Sequence, residues 1–414
     1  MLNRMICLAW LSLISGCIYA DDSSSLNISN NADTDVFTVN ANAAAAPTTS
    51  APAPTLTPAP ATTDVSNPTD ITNTTDTTPT TTLAPNAGAS STQAPDVDQA
   101  ELQRVLDNWR SRSGIPGATL SIYLPNHDFP LTFTSGTTTY EGAQKINSDT
   151  LFQAGSITKS FTSMIILQLE AQGKLSIDDP ITKYLPQYPQ WQNVTIRELL
   201  NHTSGIFNYT ETGAFNEIRK TNPQAEFTPE EIVRLAAQHR DYFAPGNGWK
   251  YSNTNYVLAG MIIQAVTKQP VSDVMNNYLH GYLRFNLVNT FYLPGLYTDA
   301  LVTHMAHGYS SNGHDVTLDN MSWAYTAGAI VTTTQDLLTW WRALFQGSLL
   351  PEKQLDEMQS LVCEGTYPGC RPGESLANLQ EGSVSKGYGL GIIESSYGSD
   401  RIGTVWWHNG CGQF

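Results

Sequence analysis

The sequence predicts an α/β fold of the α+β type, an antiparallel sheet flanked by helices with an inserted all-α subdomain. Two observations predict it. Short runs rich in β-branched and aromatic residues stand near both ends of the folding segment, at residues 118–123, 131–134, 388–393 and 403–408. Between Ser156 and Asp336 the text is mostly helical and loop-like, so the sheet is interrupted by helices. The chain has 414 residues, enough to bury a sizeable core.

The elements follow in order. Arg4 and the apolar run from Met5 to Ile14 read as an export signal over residues 1–20, with an apolar stretch too short to span a bilayer. Two processing sites compete there. Ile14-Ser-Gly-Cys17 has the form of a lipobox, which would lipidate Cys17, whereas an ordinary signal peptidase would cut after Ala20. Residues 21–95 read as a disordered tether: from Ala43 to Pro95 there is no aromatic and no cation, so the segment lacks the apolar surface that would offset its ordering entropy. As a coil of that length it reaches roughly 50 Å. The expected place of the protein is therefore outside the cytoplasm: periplasmic, lipid-anchored through Cys17, or secreted.

Charge excludes one class of partner. There are 21 Lys+Arg against 37 Asp+Glu, a formal net charge of −16, which argues against nucleic acid because phosphate contacts need clustered cations. Much of that charge sits in the tether rather than in the folding segment.

The folding segment spans residues 96–414. Asp98-Gln-Ala-Glu101 suits a capping box, and Leu102, Val105, Leu106 and Trp109 repeat at helical spacing up to Gly114. The strands at 118–123 and 131–134 follow, joined by a polar turn around Asn126. The turn-rich loop between Cys363 and Cys370 can close a disulfide in an oxidising compartment, leaving Cys411 as a free thiol.

The chemistry starts at Gly155-Ser156-Ile-Thr-Lys159. Ser at i and Lys at i+3 share a helical face, so the amine reaches the hydroxyl. Gly155 before the helix sets Ser156 at the positive end of the helix dipole, and a desolvated lysine can serve as base near neutral pH. Downstream, Tyr251-Ser-Asn253 places a Tyr and an Asn two apart on a tight loop, and His408-Asn409-Gly410 ends a strand with a cation-capable residue and a glycine. His202, in Asn-His-Thr-Ser-Gly, reads as a turn-stabilising residue. His304, His307 and His314, with Asp315, lack firm ligand spacing, so no metal and no cofactor are expected. There is no Gly-x-Ser-x-Gly elbow.

The three triplets, in this order, resemble those of the serine β-lactamase and D-alanyl-D-alanine carboxypeptidase family, in its class C β-lactamase and penicillin-binding protein form. Gly114-Ile-Pro-Gly117, Gly173-Lys-Leu-Ser-Ile-Asp-Asp-Pro180, Glu198-Leu-Leu-Asn-His-Thr-Ser-Gly205 and Ala327-Gly-Ala-Ile-Val331 are similar to further stretches of that family. The resemblance implies that Ser156 is the nucleophile of an acyl-enzyme, with Lys159 and Tyr251 sharing the base and proton-relay work. It implies that Asn253 binds the substrate amide or acyl chain and that His408 serves the relay or the leaving end. Asn409 and Gly410 would line the substrate, and the backbone N–H groups of Ser156 and Cys411 would form the oxyanion hole. The implied enzyme is an exported D-alanyl-D-alanine carboxypeptidase-like cell-wall peptidase, acting on a peptidoglycan peptide or another small molecule, with β-lactams within reach; a β-lactamase or esterase on the same scaffold, or a non-catalytic binding member, is the alternative.

Two departures qualify it. Asn409 stands where such peptidases and β-lactamases usually carry Thr, whose hydroxyl helps bind a substrate carboxylate. The family also continues with further strands and a closing helix beyond the point matching Gly410, so a C-terminally truncated chain with a weak fold and weak activity is expected.

Overall fold

The computed structural model describes residues 12–14, 98–124, 130–282, 287–310, 312–365, 370–376, 386–396 and 404–410. The tether, the lipobox cysteine Cys17, the turn at Asn126, Cys411 and anything after Gly410 lie outside the described residues. Among the described residues, no helix is long and apolar enough to cross a membrane.

The chain order begins β1 (Ser12–Ile14), α1 (Gln99–Ser113), β2 (Gly117–Ile122), β3 (Leu131–Gly136), β4 (Phe152–Gln153) and α2 (Thr158–Ala171). The helical middle follows: α3 (Ile196–Leu200), α4 (Gly213–Thr221), α5 (Pro229–Ala237), α6 (Asn253–Thr267) and α7 (Val271–Asn277). Then come β5 (Phe291–Tyr292), α8 (Asp299–Val302), α9 (Tyr325–Gly328), β6 (Ile330–Thr332), α10 (Thr334–Phe345) and α11 (Glu352–Met358). The last elements are β7 (Lys386–Tyr388), β8 (Ile393–Ser396) and β9 (Thr404–Trp407).

The mixed fold class matches the expectation, but among the described residues the strands do not join one sheet. They form three antiparallel ladders, β1-β2-β3, β4-β6-β5 and β7-β8-β9. One edge of β2 bonds β3 over six residues, from Gly117↔Gly136 to Ile122↔Leu131, and Thr119–Ser121 on its other edge pair with β1. The partner on that second edge, Ser12–Ile14, is the end of the apolar stretch read as an export signal.

Two helices dominate the core because they are buried on nearly every face. Residues 158–169 of α2 and 254–263 of α6 are all buried. Their polar side chains are therefore matched by partners rather than by water. Thr162 Oγ1 donates to Thr326 O at 2.8 Å and Thr326 Oγ1 donates to Tyr256 O at 2.7 Å, so α9 is pinned between α2 and α6. Gly260 makes the approach of α6 to α9 feasible, since a Cβ there would stand 2.2 Å from Thr326 Oγ1. At the start of α2, the Trp340 ring of α10 stacks on Phe161 with centroids 3.7 Å apart, and its indole N–H donates to Ser160 Oγ at 3.1 Å.

Helix starts follow the capping chemistry. Thr195 with Glu198, and Thr228 with Glu231, form capping boxes at α3 and α5. α1 packs on the β2–β3 hairpin through Leu106, Ile115, Leu120 and Phe133. The hairpin is tied to α10 by Ser121 Oγ and Thr334 Oγ1 at 2.8 Å. Cys363 and Cys370, both buried, are disulfide-bonded with Cα atoms 6.3 Å apart, at the spacing such a bond requires.

Candidate active site

The site is built where α2, α6 and α9 meet. Gly155 adopts φ +51°, a left-handed turn that favours glycine, and Ser156 lies in the 3-10 turn Gly155–Ile157 that runs straight into α2. Ser156 is partly exposed, whereas Lys159, one turn on, is fully buried. The helical spacing delivers what it promised: Lys159 Nζ is 3.0 Å from Ser156 Oγ.

Lys159 has two further partners. It donates to Asn253 Oδ1 at 2.8 Å and to the carbonyl of Ala327 at 2.9 Å. Burial holds its pKa well below the ordinary lysine value. A neutral amine carries two N–H bonds and one lone pair. With both hydrogens given to these two oxygens, the lone pair is left facing the Ser156 hydroxyl. The amine is thus set as a base by the count of its neighbours.

Tyr251 converges from the other side, its hydroxyl 2.7 Å from Ser156 Oγ. Burial raises its pKa strongly, so the phenol keeps its proton. The ammonium form of Lys159 would sit over aromatic faces, with Nζ 4.8 Å from the Tyr251 ring centroid and 5.3 Å from that of Tyr256.

Asn253 opens α6, and its backbone N–H donates to Asn208 Oδ1 at 3.0 Å. Its side-chain oxygen is committed to Lys159, which leaves the amide nitrogen, 3.4 Å from Thr210 Oγ1, as its group for a substrate.

The third triplet is placed differently from its reading as a cation-capable strand end. His408 is buried, and desolvation together with the nearby Lys159 lowers its pKa to about 3. It is a neutral imidazole at physiological pH. Its Nε2 stands 3.0 Å from the Tyr388 hydroxyl and its Nδ1 is 2.5 Å from Asn409 O, so its bonds serve the scaffold rather than Ser156. Asn409 is exposed at the rim. Gly410 packs so tightly on the nucleophile's turn that a Cβ would stand 1.8 Å from Ala154 O. Cys411 lies outside the described residues, so its backbone N–H has no place in this account.

Two residues that sequence reasoning did not assign to the site stand directly behind it. His202, read as turn-stabilising, does sit in a left-handed turn at φ +65°. That turn also carries its imidazole beneath Tyr251, with ring centroids 4.3 Å apart. Tyr388, buried and flanked by Gly387 and Gly389, bonds both histidines. Its glycine-bracketed setting was the available signal. Of the other histidines, His307 pairs with Asp315 at 2.6 Å in a partly exposed loop.

A family model described as Beta-lactamase matches residues 78–414. The chain belongs to the beta-lactamase family. It is therefore a member of a serine hydrolase family that includes penicillin-binding proteins and amidases. Among its relatives, the putative penicillin-binding protein PbpX of Bacillus subtilis (strain 168) is 29% identical over 225 residues, covering 53% of this chain and 53% of that protein. Penicillin-binding protein 4* of the same organism is 29% identical over 231 residues, 52% of this chain and 50% of that one. The chain thus spans about half the length of these sequence relatives. Solved structures extend the match. A D-stereospecific amidohydrolase from Streptomyces sp. is 32% identical, with a TM-score of 0.63 over 76% of this chain and 87% of that one. A D-amino acid amidase from Ochrobactrum anthropi SV3, complexed with L-phenylalanine, is 28% identical, with a TM-score of 0.61 over 75% and 83%. For this beta-lactamase-family chain, then, amidases as well as penicillin-binding proteins are close in structure or sequence.

Proposed function

We propose that this chain is an exported serine hydrolase that forms an acyl-enzyme at Ser156 and cleaves D-aminoacyl amides or peptides of the cell-wall type. The observation that carries the reading is the convergence of Lys159 Nζ and Tyr251 Oη on one hydroxyl, at 3.0 and 2.7 Å. Lys159 takes the Ser156 proton as Oγ attacks the substrate carbonyl, and Tyr251, which keeps its phenolic proton, donates it to the departing amine. The ammonium of Lys159 beside the phenolate returns that proton, and a water then hydrolyses the ester at Ser156. The similarity to amidases acting on D-amino acids supports the stereochemical class.

Asn409 favours one reading within that class. A carboxypeptidase substrate presents a carboxylate after the scissile bond, and Asn409 offers no hydroxyl to it. A simple amide has no such carboxylate, so amide hydrolysis is favoured over D-Ala-D-Ala cleavage and, since a β-lactam also presents a carboxylate, over β-lactam hydrolysis as the main turnover.

The test is intact-mass spectrometry of the full chain with benzylpenicillin, followed by peptide mapping, alongside ammonia release from D- and L-phenylalanine amide. The expected result is an acyl adduct on the peptide holding Ser156 and release from the D-amide only. Folded protein showing neither adduct, penicillin loss nor amide hydrolysis would sink the proposal.

Export is supported by the leader-like N-terminus and by the Cys363–Cys370 disulfide, which suits an oxidising compartment. If Cys17 carries the lipid, Cys17→Ser moves the protein from the membrane to the soluble fraction of the cells that make it. An unchanged distribution refutes the anchor.

A further inference from the structure

Behind Tyr251 the buried polar groups form a continuous wire whose proton positions are fixed by its ends. At one end, His202 Nδ1 faces two donors, the backbone N–H of Ser252 at 3.2 Å and the side-chain amide nitrogen of Asn255 at 3.3 Å. That amide is oriented by Ser204, whose hydroxyl donates to Asn255 Oδ1 at 2.8 Å. Nδ1 of His202 is therefore bare, and the neutral ring carries its hydrogen on Nε2, 3.2 Å from the Tyr388 hydroxyl. At the other end, His408 Nδ1 lies 2.5 Å from Asn409 O. A carbonyl only accepts, so Nδ1 carries the hydrogen and Nε2 is bare.

The two imidazoles thus hold opposite tautomers, and only a hydroxyl between them satisfies both. Tyr388 accepts from His202 Nε2–H and donates to His408 Nε2 at 3.0 Å. Tyr256, which also touches Tyr388, gives its own hydrogen to Leu200 O at 2.6 Å and is free to act only as an acceptor there. Donation by Tyr388 to Tyr256 instead would leave His408 Nε2 without its donor. A phenylalanine at 388 would leave a donor and an acceptor facing an apolar edge in a fully buried place.

Each end of the wire touches the site. His202 lies under the Tyr251 ring, and His408 holds the Asn409 carbonyl, so it sets the tilt of the Asn409–Gly410 peptide. Gly410 in turn presses on Ala154, two residues before Ser156.

We propose that Tyr388 is a positioning residue of this hydrolase: its hydroxyl locks His202 and His408 in opposite tautomers, and through them sets Tyr251 and the Asn409–Gly410 peptide around Ser156. The positioning role rests on the reading of Ser156 as nucleophile, but the tautomer lock does not. Burial lowers the pKa of both imidazoles, which agrees with two neutral rings.

The experiment is two-bond nitrogen–proton NMR of the full chain labelled at histidine, which separates protonated from bare ring nitrogens, with His202→Gln and His408→Gln for assignment. It is run on the wild type and on Tyr388→Phe, with melting curves and Ser156 acylation by benzylpenicillin. The wild type is expected to show Nε2–H at His202 and Nδ1–H at His408. In the variant, His408 is expected to lose its single-tautomer pattern, and the acylation rate constant at saturation to fall by up to about 100-fold, the order of a misplacement of about 1 Å in the reacting groups, with half-saturation changed less than about threefold. A wild type with Nε2–H on His408 overturns the proposal without any variant, as does a folded Tyr388→Phe protein with unchanged tautomers or unchanged acylation. The opposite pattern separates the two claims: correct wild-type tautomers with no acylation of Ser156 and no amide hydrolysis would overturn the hydrolase reading while leaving the tautomer lock in place.

Discussion

Ser156→Ala is expected to lower D-amide hydrolysis by about 10^4- to 10^6-fold and to remove the penicillin adduct, with little change in melting temperature. The size follows from the chemistry. Without the hydroxyl no acyl-enzyme forms, and the remaining groups offer only binding and proton transfer to water. Stability is spared because Ser156 sits partly exposed in a turn, and its loss leaves Lys159 with Asn253 Oδ1 and Ala327 O. Tyr251 loses its hydroxyl partner at 2.7 Å, a net cost of about 1 kcal/mol. Kinetics of the purified variant, with melting followed by circular dichroism, check both halves. Residual turnover above about one per cent of wild type would mean that water, not Ser156, attacks the substrate, and the covalent route would be abandoned.

How much of this was legible beforehand depended on how local the signal is. Ser156 and Lys159 were readable because three residues on a helix fix their distance, and the structure returns that contact at 3.0 Å. Tyr251 and Asn253 were readable as two side chains on one loop, but not the direction in which Asn253 faces. That direction is set by Lys159, 94 residues away in sequence, which claims the Asn253 oxygen. His408 was read from its chemistry as a cation-capable residue serving the relay or the leaving end. Its burial beside Lys159 is a property of the packed core, which no spacing within the triplet conveys. The same holds for Tyr388 and His202, joined across 186 positions by a single hydrogen bond. For the sheet, strand segments announced themselves by composition, whereas the pairing of both β2 edges is a tertiary outcome.

Which group takes the first proton is decided by an electrostatic experiment on Lys159. Lys159→Met keeps the side-chain length without the amine and is expected to lower turnover by about 10^3- to 10^4-fold at every pH, the upper part of what a positioned base supplies. Asn253→Asp keeps the amine but puts a carboxylate where the amide oxygen now stands, 2.8 Å from Nζ. An opposite charge at that distance favours the ammonium and raises the Lys159 pKa, countering the burial that lowers it. Activity needs the neutral amine, so it is lost as pH falls through that pKa, and in Asn253→Asp the acid limb of the pH–rate profile should move upward by about 1–3 units. The deficit at neutral pH is then regained in alkali, unlike that of Lys159→Met. Stability supplies an independent sign. In the wild type the folded state holds a neutral lysine where the unfolded chain holds a charged one, so unfolding takes up a proton. This group therefore makes stability rise with pH, from the lowered folded pKa up to the ordinary value of about 10.4. In Asn253→Asp the folded pKa approaches or passes the unfolded one, and that rise should flatten or reverse. An acid limb that stays in place while turnover drops would show that Lys159 is not the titrating base, and the first proton would then have to be assigned to Tyr251.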